Sequence, residues 1–186
     1  MDGKPVHLEQ KAPARVLMYH KPVGELVTRD DPEGRPTVFS RLPPGRWVNV
    51  GRLDLNSSGL LLFTDDGELA NRLTHPRFGV EREYSARVRG ALSPSEIQAL
   101  LQGVPLDGEP ARFERLELQK AGEGTNNWYR VVLTEGRNRE VRRLFEAVGH
   151  PVSRLVRTRY GPVHLPSDLA PGRWREMQNT AILQRL

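Results

Sequence analysis

The chain has no cysteine, which excludes disulfides, thiolate metal sites and a cysteine nucleophile. No apolar run approaches the roughly 20 residues of a membrane-spanning helix, and the first residues lack the apolar core of a signal peptide. No two of the five histidines stand at zinc-ligand spacing. His75 and His150 each precede a proline at an expected helix end, where turn geometry accounts for them; His7, His20 and His164 are scattered. Lysine is scarce as well: Lys4, Lys11, Lys21 and Lys120 are the only four among 28 basic residues. We expect a soluble, cytoplasmic protein with no membrane contact.

What remains is rich in arginine. A GC-rich genome raises Arg, Gly, Pro and Ala together and accounts for the Arg-to-Lys ratio, but not for where the arginines fall. Arg137, Arg139, Arg142, Arg143, Arg154, Arg157 and Arg159 crowd a short span opposed only by Glu135, Glu140 and Glu146. A planar guanidinium pairs with phosphate through two parallel donors and stacks on bases, so this span, on a chain of net charge +5, suits a polyanion. The 186 residues, 37% of them hydrophobic, suffice for one domain or two small packed halves with a real core.

Short strands interrupted by three short helices predict an α+β fold. Extended segments are expected over 15–19, 26–28, 47–50, 60–64, 83–88, 113–118, 128–133, 152–160 and 174–177. Asp65 or Asp66 caps a helix through Leu73. Ser93-Pro94-Ser95-Glu96 supplies an N-cap, a first-position proline and a capping-box glutamate for a second helix. Asn138 is placed as the cap of a third, with Gly149 as its stop. The run from Gly122 to Asn127 has the composition of a hairpin turn, and no Gly-Lys-Ser/Thr follows it to make a phosphate loop. Residues 1–13 are polar and aperiodic and read as a leader.

The most informative run is Gly51-Arg52-Leu53-Asp54-Leu55-Asn56-Ser57-Ser58-Gly59 followed by the apolar Leu60–Thr64. It sets one carboxylate in a polar, glycine-bounded loop just before a buried strand. A lone loop aspartate is ordinarily a turn residue, but Arg52, Asn56 and the rigid strand beyond favour a reactive group. Asp65-Asp66 with Asp54 could suggest a two-metal phosphodiesterase site; a helix N-cap explains the pair more simply.

Four segments in order, Tyr19-His20-Lys21-Pro22-Val23-Gly24, Gly51-Arg52-Leu53-Asp54, Arg82-Glu83-Tyr84 and Glu135-Gly136-Arg137-Asn138-Arg139-Glu140-Val141-Arg142-Arg143-Leu144, resemble the motifs of the RsuA/RluB family of RNA pseudouridine synthases. Gly24-Glu25-Leu26 and the run from Asp31 to Phe39 read like a large-subunit ribosomal RNA member. His20 stands where asparagine or tyrosine is common, and Glu140 where glutamine is frequent.

The resemblance implies a mixed, mainly antiparallel sheet with flanking helices and a central catalytic cleft, built from halves near 14–80 and 81–186. It makes residues 1–13 a remnant of an S4 RNA-binding domain and linker, absent an anchor. It implies isomerisation of one uridine in 23S ribosomal RNA, near the peptidyl-transferase region, by a monomer with no cofactor and no metal. Asp54 is then the nucleophile, Tyr84 the base partner and Arg142 the electrostatic partner of Asp54, with Arg139 and Arg143 as near competitors. Arg52 clamps RNA, Lys21 and Arg137 touch phosphates, and Leu144 lines the pocket. The alternatives are a sister synthase acting on 16S or another 23S uridine, a non-catalytic RNA-binding assembly factor, and a metal-dependent nuclease.

Overall fold

The structure, a computed structural model, describes residues 13–29, 31–122 and 124–184. The leader or S4 remnant expected over 1–13 therefore lies outside the described residues, apart from Pro13.

Two apolar runs form the centre of the first part of the sheet. β1 (Val16–Lys21) pairs antiparallel with β3 (Ser58–Thr64). Every residue of β3 is buried, because both its faces are covered: Leu61 and Phe63 enter one core and Leu60 and Leu62 the other. That is why its sequence is a continuous apolar run rather than an alternation. β4 (Arg82–Arg89) shows the opposite pattern, alternating buried and half-buried, as a strand covered on one face must.

Nine strands make one mixed sheet, whose main path runs β11 (Trp174–Glu176), β1, β3, β9 (Val152–Tyr160), β4, β8 (Asn126–Leu133), β7 (Arg115–Ala121). β2 (Val48–Val50) pairs with β3 and β10 (Val163–His164) with β9. All pairings are antiparallel except β3 with β9, which touch only at Ser58–Val156 and Gly59–Arg157. This short parallel seam joins the two parts of the sheet. It requires glycine: a Cβ on Gly59 (φ 112°) would lie 2.2 Å from the Arg157 carbonyl oxygen. The chain after β9 does not stay with its own side of the seam. β11 returns to pair with β1, and α4 (Ala181–Gln184) packs on α1 (Gly67–Thr74).

The helix signals translate directly at two ends. Asp66 accepts from the Glu68 and Leu69 amides at 3.0 and 3.2 Å and starts α1. At α2 (Pro94–Gln102) the capping box is reciprocal, Glu96 N–H to Ser93 Oγ at 3.1 Å and Ser93 N–H to Glu96 Oε1 at 2.8 Å. The third helix differs from expectation. α3 (Glu140–Ala147) starts two residues after Asn138, and its N-cap is Arg139 in the left-handed region (φ 52°). A further hairpin, β5 (Val104–Leu106) with β6 (Glu109–Ala111), turns through Asp107 and Gly108 at φ 55° and 80°. The expected strand over 26–28 reduces to one bridge, Leu26 to Thr37.

Candidate active site

Asp54 lies in the loop from β2 to β3, which is pinned from inside. The Ser57 amide donates to the Asp54 carbonyl at 3.0 Å, and the Gly24 amide to the Leu55 carbonyl at 2.8 Å. Beneath the loop, Lys21 is fully buried and its Nζ donates to the carbonyls of Ser57 (2.6 Å) and Pro22 (2.9 Å). Burial brings the Lys21 pKa down to about 8, against the opposing pull of the Glu25 and Asp54 charges. Lys21 was expected at a phosphate; here its ammonium is enclosed by backbone carbonyls and braces the loop. Glu25, also buried, accepts from the Tyr19 hydroxyl and from Arg41 Nε, so the Lys-Pro-x-Gly segment is scaffold.

Of the three competing arginines, two reach Asp54. Arg139 Nη1 donates to Asp54 Oδ2 at 3.2 Å. Arg142 Nε stands 3.9 Å from the same oxygen and, though buried, has no hydrogen-bond partner among the described residues. Arg142 is buried and clamped by the Asn56 carbonyl (3.0 Å), the Val152 carbonyl (3.2 Å) and Ser57 Oγ (3.4 Å), whereas Arg139 is exposed. Burial, and then the charge of Arg139, lower the Arg142 pKa from its usual value, with Asp54 opposing. Arg143 faces away and pairs with Asp107 at 2.6 Å. Among the described residues nothing donates to Asp54 Oδ1.

The carboxylate faces a cleft of about 360 Å³, within the range of small-ligand sites. Tyr84, Leu133 and Leu155 form its apolar wall. Arg52 stands exposed at the lip, and among the described residues it has no hydrogen-bond or ion-pair partner. Arg137 lines the cleft too, but its guanidinium donates to the carbonyls of Leu106 (2.7 Å) and Pro110 (3.0 Å), tying the β5–β6 hairpin to the cleft. Leu144, expected in the pocket, is fully buried in the core; Val141, one turn earlier on α3, lines the cleft instead.

Three residues given no individual role from sequence complete the far side. Arg82 Nη2 donates to the Tyr160 hydroxyl at 2.8 Å, which donates to the Leu73 carbonyl at 2.8 Å. Arg157 Nε donates to the Leu60 carbonyl across the seam at 2.8 Å, and its Nη2 is buried without a partner among the described residues. Buried arginines on apparently alternating strands offer a signal, because burial of a guanidinium demands partners. Glu140 is a fourth. Its Oε1 accepts the Arg137 amide at 2.9 Å and its Oε2 is buried without a donor among the described residues. Burial, reinforced by the neighbouring Glu135 carboxyl, raises its pKa to about 8, favouring the protonated form. Asp66 is a helix cap and Asp65 accepts the Arg15 amide at 2.8 Å; among the described residues no cluster of three His, Asp or Glu could hold a metal ion.

The sheet is thus split by one short parallel seam, with an arginine-held aspartate in a cleft beside it. Residues 15–147 match the family described as RNA pseudouridylate synthase, and the chain belongs to that family. It is 62% identical over 166 residues to Ribosomal large subunit pseudouridine synthase B of Yersinia pestis, covering 88% of this chain and 52% of that relative. It is 56% identical over 187 residues to the Pseudomonas aeruginosa protein of the same name, covering 98% of this chain and 48% of the relative. The chain thus spans about half the length of these two curated relatives. A solved pseudouridylate synthase superposes with TM-score 0.79 at 28% identity, over 92% of this chain and 73% of that one.

Proposed function

We propose that the chain isomerises a uridine of 23S ribosomal RNA to pseudouridine, acting in the cytoplasm as a monomer near the peptidyl-transferase region. The observation that carries the reading is the Asp54 carboxylate lining the cleft, held on Oδ2 by Arg139 and flanked there by Arg142, with no donor on Oδ1 among the described residues. The relatives named above, at 56% and 62% identity, support the large-subunit substrate.

The chemistry asks for a fixed nucleophile and a base taken out of its stack. The bond from uracil N1 to ribose C1′ breaks, with Asp54 either adding to the sugar or driving elimination to a glycal. The uracil turns within the cleft, C5 bonds to C1′, the C5 proton leaves and N1 takes up a proton. Product and substrate have the same composition, so no oxidant or second substrate is needed. Tyr84 supplies an apolar ring face for the turning base. Its hydroxyl, without a hydrogen-bond partner among the described residues, is available to relay the C5 proton. Arg52 at the lip suits the RNA strand from which the uridine has been extracted. Unpairing and unstacking cost a few kcal/mol, which arginine contacts to the backbone offset.

The test is tritium release from large-subunit ribosomal RNA labelled at uridine C5, with chelator present. The parent is expected to release tritium without shortening the RNA, and Asp54→Ala to release none. Equal release from both, or release abolished by the chelator, overturns the reading.

A further inference from the structure

The part of the sheet beyond the seam carries its helices on one face. Tyr84, Ala86, Val88, Tyr129, Val131 and Leu155 pack into the core on that face with α2 and α3. The opposite face, turned away from the Asp54 cleft, is partly exposed along β4, β7, β8 and β9. Across it runs a row of direct cross-strand neighbours: Arg154 on β9 opposite Arg87 on β4, Arg87 opposite Trp128 on β8, and Trp128 opposite Lys120 on β7. Direct neighbours share a face, so the four side chains stand together, spanning about 14 Å at the usual strand spacing.

The row contains no acid. Among the described residues, Glu83 and Glu117 on this face are engaged by Arg130 and Arg159. Arg87 Nε donates to the Ser153 hydroxyl at 2.8 Å, and its guanidinium lies 6.0 Å from the Trp128 ring. Arg154 and Lys120 have no ion pair among the described residues. Two arginines directly opposite one another destabilise a sheet, and no carboxylate in the row relieves them. Beside them a trough of about 550 Å³ is lined by Ser85, Gln119, Lys120, Trp128, Val156 and Thr158.

We propose that this row is a second RNA-binding surface, separate from the cleft, that takes a single-stranded segment with a base stacked on Trp128 and phosphates on Arg87, Arg154 and Lys120. An aromatic ring with cations on both sides matches the alternation of base and phosphate along a single strand. An acidic protein segment would satisfy the cations but leave the tryptophan face without a planar partner. The surface is insensitive to sequence, because every base has a face to stack and every phosphate the same charge. It extends the contact of the protein with RNA beyond the nucleotides that enter the cleft.

The test titrates the full chain with a fluorescent single-stranded RNA of about 12 nucleotides, within the span of known single-strand sites, containing no uridine. Its binding does not depend on isomerisation, so its failure leaves the role of Asp54 untouched. In the variant with Arg87→Gln, Lys120→Gln and Arg154→Gln together, the slope of log affinity against log salt is expected to flatten by about 2, three contacts at roughly 0.7 each. Trp128→Leu is expected to weaken binding at least about fivefold with the slope unchanged. Thermal melts establish that both variants are folded, and Arg154→Gln alone, which removes a like-charge pair, is expected to melt no lower than the parent. Affinity and salt slope equal to the parent in both folded variants overturn the proposal.

Discussion

Glu140 opens α3 with its carboxyl buried, one oxygen on the Arg137 amide and the other without a donor. Its pKa, raised from 4.5 to about 8, means that the folded state holds this proton where the unfolded chain has released it. The stabilising contribution is therefore complete below about pH 4.5 and is lost as pH rises through about 8. Glu140→Gln keeps the acceptor for the Arg137 amide and cannot ionise. Its melting temperature is expected to match the parent at pH 4 and to exceed it at pH 8 by at least about 2–4 °C, equivalent to about 1 kcal/mol in a chain of this size. Melts differing by the same amount at both pH values would sink the idea. At this scale the sequence was legible where a residue's surroundings are local. Asp54 stands out because its glycine-flanked loop and following strand are contiguous with it. Lys21 misleads, because lysine is ordinarily a solvated residue and the three carbonyls that enclose it come from its own neighbour and from a loop more than 30 positions away. Leu144 misleads by one turn, since whether Val141 or Leu144 meets the cleft depends on the rotation of α3 against the sheet.

Among the elements, capped helices and alternating strands were readable, and the exceptions share a cause. The β5–β6 hairpin has the Asp-Gly turn signal, but Pro105 and Pro110 argue against strands; the pair is short and Arg137 ties it down from another element. α3 begins late because Arg139 adopts φ 52°, a conformation a side chain rarely takes and one that aims Arg139 at Asp54 where a regular first turn would carry it elsewhere. The β3–β9 seam could not be read from either strand alone, since its parallel register joins positions almost 100 residues apart. Gly59→Ala tests it. The added carbon would meet the Arg157 backbone at 2.2 and 2.5 Å, which no side-chain rotation relieves. Overpacking of about 1–3 kcal/mol and left-handed strain of about 1–2 kcal/mol together predict a loss of about 2–5 kcal/mol in urea unfolding. Tritium release should fall with it, because the same seam joins the parts of the sheet that bring Asp54 and Tyr84 to one cleft. A variant with parent stability would show that the seam yields without loss.

For the whole molecule, the sheet is continuous across the seam and closed at its far side by the last part of the chain. β11 covers the outer edge of β1 through the pairs Leu17–Glu176, Met18–Arg175 and Tyr19–Trp174. Arg15 clasps Glu176 through two hydrogen bonds of 2.8 Å, the Thr180 hydroxyl donates to the Ala14 carbonyl at 2.8 Å, and Leu183 is fully buried against the core behind β1 and β3. β1 ends in Lys21, and Lys21 holds the Asp54 loop, so residues far along the chain support Asp54 through one strand. Ending the chain at Arg173 would bare the edge of β1, leaving unpaired amides and carbonyls, and would remove the Leu183 side chain, whose burial alone contributes about 1.5–3 kcal/mol. With the lost strand pairing the deficit is expected to reach about 3 kcal/mol or more, lowering the melting temperature by about 6–12 °C. Tritium release should decline at temperatures where the shortened chain is still folded, because β1 would then hold Lys21, and through it Asp54, less firmly. Full activity in a shortened chain that melts early would separate stability from the site and refute transmission through β1.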